Sequence, residues 1–225
     1  MGEQRASGNE GLTRLRQAVV AAGRRMGARG LIAAGEGNLS LRLPGDRLLV
    51  TPSGMRKDEL EPADLLIVDL NPASGAPADP MTGRRPTSDL AIHRAVHAAR
   101  PDIVAVAHAH PPATLALTLA GERADPSALP ETALLLPSLP FVPFGTPGSD
   151  ELAARIAAAL TEPPAPGAGA VLLERHGAVA VGTGGPEAAL GQALDRLELV
   201  EVLCRATRDA LLIRAARAAL DRPGA

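Results

Sequence analysis

The stretch Ile103-Val104-Ala105-Val106-Ala107-His108-Ala109-His110-Pro111-Pro112 joins a run of apolar residues to a pair of histidines. The apolar run predicts a strand and the two prolines end it. Side chains alternate along a strand, so His108 and His110 point to the same face at its end. A third histidine, His176, lies far downstream. A His-x-His pair with one distant histidine is the ligand set of a zinc site that keeps one position open for substrate or water.

The segments around this strand predict further strands joined by hairpins. Polar and apolar residues alternate over residues 38–43, Pro44-Gly45-Asp46 is a turn, and residues 47–50 return. The other predicted strands are residues 65–70, 170–173 and 178–181, and His176 lies between the last two. Helical spacing and capping residues predict helices over residues 12–28, 89–99, 111–119, 149–160 and from residue 186 onward. This mixture predicts an α/β fold with a central, mostly antiparallel sheet flanked by helices.

The composition excludes several classes of function. The chain has 225 residues, no repeat and no linker, which favours one domain over residues 1–225. With two Phe, no Trp, no Tyr and a net charge of −2, it offers neither a stacking platform nor a basic surface, so we expect no nucleic-acid partner. It has no apolar run of about 18 residues and no apolar leader, so we expect no membrane contact and a cytoplasmic location. Its one cysteine, Cys204, predicts an inert core thiol rather than a disulfide.

Two more histidines, His93 and His97, are four residues apart on the predicted helix over residues 89–99. This spacing places them on one helix face, where they could bind a metal ion together. The helix offers no third ligand. We therefore expect surface and partly buried positions for both.

Three short motifs could bind an anion. Thr87-Ser88 precedes a predicted helix, whose free N–H groups and dipole favour an anion. The alternative is an ordinary cap formed by Ser88, with Asp89 in the first turn. The turn Thr51-Pro52-Ser53-Gly54 and the glycine-rich Gly35-Glu36-Gly37-Asn38 also offer hydroxyl or N–H groups. Each motif alone is weak evidence for an anion site.

The order of these motifs resembles the class II aldolase/adducin family. The resemblance covers residues 10–210 approximately, and it is carried by Gly37-Asn38-x-Ser40-x-Arg42, Thr51-Pro52-Ser53-Gly54, Thr87-Ser88-Asp89, Arg100-Pro101-Asp102-x5-His108-x-His110 and His176-Gly177. It implies a single-domain, layered α/β/α fold. It also implies a homotetramer with active sites at the subunit interfaces.

The resemblance further implies a role for each motif residue. Three histidines would hold Zn²⁺, or another divalent ion such as Mn²⁺ or Co²⁺, namely His108, His110 and His176. Asp89 falls where the family's aldolases carry a catalytic Glu. Five residues would bind a substrate phosphate, namely Asn38, Ser53, Gly54, Thr87 and Ser88.

Two departures from the family pattern bear on the reaction. Asp89 is one methylene shorter than the aldolase Glu, and the family's 4-epimerase also carries Asp there. The family's aldolases and epimerase use a tyrosine as proton donor, but this chain has no tyrosine. Water, Glu131 or another carboxylate would have to replace it.

The function implied by the resemblance is that of a zinc-dependent lyase. It would cleave a small ketose phosphate reversibly by a retro-aldol reaction, giving dihydroxyacetone phosphate and an aldehyde. A sugar-phosphate 4-epimerase or a dehydratase would use the same metal-stabilised enediolate, so both remain alternatives. A non-catalytic, adducin-like binding module is a further alternative, and the three retained histidines argue against it.

Overall fold

The computed structural model describes residues 2–71, 83–163 and 167–221, with side chains from residue 10 onward. The strands are β1 (Asn38–Leu43), β2 (Arg47–Val50), β3 (Leu66–Asp69), β4 (Ile103–Ala109), β5 (Phe141–Val142), β6 (Ala170–Leu173) and β7 (Gly177–Thr183). They form one sheet in the order β3-β2-β1-β4-β7-β6-β5. Neighbouring strands are antiparallel except β5 and β6, which are parallel. The prediction of a central, mostly antiparallel sheet is confirmed.

Six α-helices accompany the sheet in the described residues. They are α1 (Gly2–Ala28), α2 (Leu90–Ala99), α3 (Pro112–Leu119), α4 (Pro130–Leu135), α5 (Asp150–Thr161) and α6 (Pro186–Leu220). Short 3-10 helices cover Pro62–Asp64 and Pro126–Ala128. None of the helices in the described part of the chain is long and apolar enough to cross a membrane.

One face of the sheet is covered by α1, α3 and α6. Alternation along β4 gives this face small side chains, Ala105, Ala107 and Ala109, which are fully buried. Helix α6 packs across β4 and β7. At Gly182 a Cβ atom would overlap the Ala189 carbonyl of α6, so the absence of a side chain there permits the close approach.

The opposite face is covered by α2 and α5, which also pack against each other. Their apolar residues form a second core with Val106, Val179 and Val181 of the sheet. His108 follows Val106 by two residues, so its ring lies on this side of the sheet. Helices on both faces complete the α/β/α layering, and that prediction is also confirmed.

The structure differs from the sequence predictions at several points. Helix α2 begins at Leu90 with Asp89 at the N-cap, so the prediction of a Ser88 cap was wrong. The prediction of surface and partly buried positions for His93 and His97 was also wrong, because both side chains are fully buried. Helix α4 and strand β5 had no counterpart in the predictions. The proline- and glycine-containing stretch over residues 71–86 has the composition of a surface loop, and most of it lies outside the described residues. Cys204 is a buried free thiol, as predicted.

Candidate metal centre and active site

Strand pairing brings the three distant histidines together. Strand β4 carries His108 and is followed at once by His110, while His176 immediately precedes β7. The two strands are antiparallel, with Ala109 opposite Ala178, so the end of β4 meets the start of β7. The ring centroids lie 4.8, 4.8 and 5.1 Å apart. The sequence separation of 66 residues between the second and third histidine is therefore closed by a single strand pair.

Gly177 makes this approach possible. Its φ of +94° lies in the region that favours glycine. A Cβ atom at this position would overlap the Ala109 carbonyl oxygen and lie 2.9 Å from the His110 Cα atom. The residue after His176 therefore has to be glycine for the two ligand-bearing segments to touch.

The segment after His110 is fixed from the other side of the sheet. Helix α3 begins there, and its first N–H groups need acceptors. The buried Glu201 carboxylate of α6 accepts from the Ala113 and Thr114 backbone N–H groups at 2.9 and 3.0 Å. The His110 backbone is thus held between β4 and a capped helix.

The hydrogen bonds of the rings leave nitrogen lone pairs for a metal ion. His108 Nδ1 donates to the Ala178 carbonyl at 2.9 Å, so its Nε2 carries the free lone pair. That atom lies 3.0 Å from His110 Nε2. His176 Nδ1 is buried and has no hydrogen-bond partner among the described residues. One ligand nitrogen from each of the three rings lies within 4.8 Å of the others, which fits a divalent ion with three imidazole ligands.

Burial keeps the His108 and His176 rings in the neutral form that binds metal. It lowers the pKa of His108 to about 3, and the neighbouring His110 and His176 act in the same direction. Burial also lowers the pKa of His176. Both rings are therefore neutral at pH 7, with lone pairs available to a metal ion.

Asp89 lies beside the histidines although it stands at the start of α2. Its side chain makes no capping hydrogen bond. Instead Oδ2 accepts from Asn38 Nδ2 at 2.8 Å and lies 3.9 Å from His108 Nε2. Burial acts to raise the pKa of Asp89, but His108 and the Asn38 amide outweigh it, so the pKa is lowered. Asp89 is therefore an ionised carboxylate next to the nitrogens of the histidine cluster.

A buried chain of side chains holds Asn38 in place. Asn38 Oδ1 lies 2.6 Å from His93 Nε2, and His93 Nδ1 lies 2.7 Å from the Ser40 hydroxyl. The same hydroxyl lies 2.9 Å from His97 Nε2, and His97 Nδ1 lies 3.2 Å from the Ile103 carbonyl. The helical spacing had suggested a possible metal pair. In the structure both rings support Asp89 through Asn38.

A pocket of about 110 Å³ adjoins Asp89 and His110. All five residues predicted to bind phosphate line it, namely Asn38, Ser53, Gly54, Thr87 and Ser88. Two backbone hydrogen bonds join the two hydroxyl motifs, from Ser53 N to Arg85 O at 2.9 Å and from Thr87 N to Thr51 O at 3.1 Å. Motifs that lie far apart in the sequence thus form one wall of the pocket.

Three other charged residues lie where the sequence did not predict them. Glu36 and Lys57 line the pocket, although neither was selected as a site residue. Glu36 Oε1 lies 3.6 Å from His110 Nδ1, where it can orient that ring. Glu131, considered as a replacement proton donor, is exposed on α4 and is not part of the pocket wall.

Comparison with known proteins identifies the family of this chain. Residues 17–207 match the model of the class II aldolase and adducin N-terminal domain. The chain belongs to this family. Within the family, L-fuculose-1-phosphate aldolase from Thermus thermophilus has a similar structure, with a TM-score of 0.74 and 30% sequence identity over 94% of this chain and 99% of that one.

Curated relatives of this family member catalyse more than one reaction. The 5-methylthioribulose-1-phosphate/5-deoxyribulose-1-phosphate aldolase of Rhodospirillum rubrum is 33% identical over 83% of this chain and 79% of its own length. The methylthioribulose-1-phosphate dehydratase of Granulibacter bethesdensis is 36% identical over 48% of each chain, so that match spans about half of the dehydratase. The chain thus belongs to a superfamily whose named members include aldolases and dehydratases.

Proposed function

We propose that this protein is a zinc-dependent lyase that cleaves a small ketose phosphate reversibly to dihydroxyacetone phosphate and an aldehyde. The observation that carries the proposal is the position of the Asp89 carboxylate, 3.9 Å from a nitrogen of the histidine cluster and at the wall of a pocket lined with hydroxyl and N–H groups. The similarity to fuculose-phosphate and methylthioribulose-phosphate aldolases supports a phosphorylated keto-sugar as substrate.

In this proposal the histidines hold the metal and Asp89 moves the proton. His108, His110 and His176 would hold Zn²⁺, or Mn²⁺ or Co²⁺ in its place. When bound, the ion supplies Lewis-acid stabilisation of the negative charge that develops on the substrate oxygens. In the aldol direction the Asp89 carboxylate takes the proton from the carbon next to the substrate carbonyl. In the cleavage direction it returns that proton, while the hydroxyl that becomes the aldehyde gives its own proton to water. The Asn38 amide holds Asp89 Oδ2 beside the histidine cluster.

The phosphate would bind away from the reacting carbons. Ser53, Thr87 and Ser88 supply hydroxyl groups, and Gly54, with a φ of +72°, allows the backbone to approach closely. Binding energy gained there positions the reacting carbons, which lowers the barrier for the chemical step.

Dehydration of a related ketose phosphate is the second candidate. It begins with the same proton abstraction, and the methylthioribulose-1-phosphate dehydratases among the relatives favour it. The absence of tyrosine in the chain also favours a reaction that does not use the family's tyrosine acid. A 4-epimerase remains a third possibility, supported by aspartate rather than glutamate at position 89.

We also propose the homotetramer that the family resemblance implies. Large apolar side chains are exposed on α4 and α6, including Leu134 at 78%, Leu212 at 62% and Ile213 at 54%. Such side chains are typical of surfaces that are covered by another subunit. Sedimentation of the purified protein at several concentrations would give the oligomeric state.

A substrate panel on the zinc-loaded protein tests the reaction. Incubation with dihydroxyacetone phosphate and short aldehydes should form a carbon–carbon bond, and a chelator should stop the reaction. In parallel, 5-methylthioribulose 1-phosphate should be followed for loss of water and for cleavage. Dehydration without any cleavage would replace the lyase proposal with the dehydratase. Failure of all these reactions with the metal bound would favour the non-catalytic module.

A further inference from the structure

Lys57 differs from every other cationic side chain in the sequence. The chain has 23 Lys and Arg residues, and Lys57 is the one lysine among them. It stands in the charged run Arg56-Lys57-Asp58-Glu59, which by sequence alone resembles an exposed turn. In the structure the Lys57 side chain is only 1% exposed and lines the pocket beside Asp89.

The Lys57 ammonium is buried without a negatively charged partner in contact. Nζ donates to the Gly35 carbonyl at 2.7 Å and to the Met55 carbonyl at 2.6 Å. These short distances are typical of charge-assisted hydrogen bonds. No carboxylate of the described residues lies within 4.0 Å of Nζ, whereas the guanidinium of the neighbouring Arg56 pairs with Asp58 at 3.0 Å and with Glu59 at 2.7 Å. Burying a charge without a counter-ion in contact is costly, so a further polar partner for Nζ would lower the free energy of this site.

An ammonium has three donors, and the two carbonyls use two of them. The third N–H is the group that remains for a ligand. The backbone that carries it is fixed, since a Cβ atom on Gly23 of α1 would overlap the Lys57 carbonyl oxygen and α1 therefore packs directly on this segment. The donor is held in place before any ligand arrives.

The negative charges of the pocket wall favour a cation beside a bound phosphate. Glu36 and Asp89 are the acidic residues of the pocket wall, and Lys57 is the basic residue that is not a histidine. Burial lowers the pKa of Lys57, while the negative charge of Asp89 acts in the opposite direction. A phosphate group near two carboxylates would be repelled without a positive charge among its hydroxyl ligands.

We propose that Lys57 completes the phosphate site, giving its third N–H and its positive charge to the substrate phosphate held by Ser53, Thr87 and Ser88. This inference rests on the proposed function, in which the pocket receives a phosphorylated substrate. Lysine suits the position because its ammonium is compact and points three donors in three directions. The planar guanidinium of arginine has a different shape and would not bridge two carbonyls and a phosphate in the same space.

The single lysine makes a direct test possible. Protein labelled with ¹⁵N at lysine Nζ gives one side-chain ammonium signal, and inorganic phosphate can be titrated into the zinc-loaded protein. We expect the Nζ signal to shift with phosphate and to saturate at the dissociation constant that calorimetry measures. An unchanged signal at phosphate concentrations that saturate the calorimetric binding would overturn the role of Lys57.

Variants give a second measurement. Lys57→Met should raise the phosphate dissociation constant about 10- to 100-fold, as expected for the loss of a hydrogen bond from a charged donor. Lys57→Arg should not restore it. The matched control is Arg56→Met, which removes a neighbouring exposed cation paired with Asp58 and Glu59 and should leave phosphate binding unchanged. Equal phosphate affinity in wild type and a folded Lys57→Met variant would contradict the inference.

The outcomes distinguish a failure of the Lys57 proposal from a failure of the proposed phosphorylated substrate. If Lys57→Met does not fold, as circular dichroism and metal content would show, the Nζ titration of the wild-type protein still decides. If phosphate binds but Lys57 does not respond, the inference fails and the proposed phosphorylated substrate stands. If the wild-type protein binds neither inorganic phosphate nor dihydroxyacetone phosphate, both fail together.

Discussion

The two closely spaced histidine pairs of this protein differ in what their ring nitrogens contact. In the pair on α2, each nitrogen of His93 and His97 has a protein partner within 3.2 Å. In the cluster at the end of β4, the Nε2 atoms of His108 and His110 face each other, and Nδ1 of His176 has no partner among the described residues. Sequence spacing alone gave both pairs the geometry to bind a metal ion together.

The two histidine groups differ because their ring nitrogens have different neighbours in the fold. The α2 pair lies over Asn38 and Ser40 of β1, which bond three of the four ring nitrogens, and the Ile103 carbonyl bonds the fourth. The cluster lies where the central strands β4 and β7 meet end to start, and among the described residues no side chain outside the cluster bonds His108 Nε2, His110 Nε2 or His176 Nδ1. Ring nitrogens that converge without hydrogen-bond partners indicate a binding site. Ring nitrogens that are all hydrogen-bonded within the protein indicate a structural role.

Removing a cluster ligand should have the largest effect on activity. His108→Ala and His176→Ala should each abolish metal binding and lower kcat/KM by a factor on the order of 10³ or more, because the Lewis acid is lost. Metal analysis of the purified proteins and the aldol assay check this. The matched control is His97→Gln, which should retain the metal. Full metal content in both alanine variants would contradict the assignment of the cluster.

Replacing the carboxylate should have the next largest effect, and it separates chemistry from metal binding. Asp89→Asn should lower kcat about 10²- to 10⁴-fold, since general acid–base catalysis contributes that much. The zinc content should stay close to that of the wild type. Exchange of the substrate C–H proton with deuterated water gives the direct measurement. Wild-type exchange rates in the variant would remove Asp89 from this role.

The buried histidines His93 and His97 should make the free energy of unfolding depend on pH. Burial lowers the pKa of His93 to about 4 and that of His97 to about 3, against 6.5 for an ordinary histidine. The unfolded chain therefore binds more protons below pH 6.5, and the free energy of unfolding falls as the pH falls from there towards 4 and 3. For His93 alone the loss is about 3 kcal/mol.

Urea unfolding between pH 7 and 4 measures this loss. The variant His93→Gln should show a flatter dependence on pH than the wild type. Equal slopes in the two proteins would show that His93 does not remain neutral in the folded state.

The smallest effect is expected from the middle of the supporting chain. Ser40→Ala removes the hydroxyl that both α2 rings contact and should lower the free energy of unfolding by about 1–3 kcal/mol. The kcat should fall by up to about tenfold, because Asn38 then orients Asp89 less firmly. Substrate KM should change little. A large loss of bound metal would show that the two histidine groups are not separate units.

The sequence predicted the parts of the molecule that depend on local pattern. Alternation in β1 and β4 placed the strands, and the His-x-His spacing placed two of the three cluster rings on one face. Local pattern does not show which helix face meets which strand, so the burial of His93 and His97 against Asn38 and Ser40 was missed.

The same limit explains the other misses. The Pro-rich stretch that contains α4 and β5 has no clear periodicity, and Lys57 was hidden in a charged run. The polar residues on one face of β1 and the presence of a single lysine were the available signals for the supporting chain and for Lys57.

The glycine at position 177 has a consequence for how the metal would be exchanged. Because two backbones in direct contact set the distance between the ligand-bearing segments, the ligand geometry is a product of folding and does not depend on the ion. The ion-free protein should therefore keep its fold, and its melting temperature should rise with free zinc according to simple ligand linkage. Zinc would bind reversibly to a preformed site in the folded protein. It would differ in this from the ion of a zinc finger, whose removal unfolds the domain.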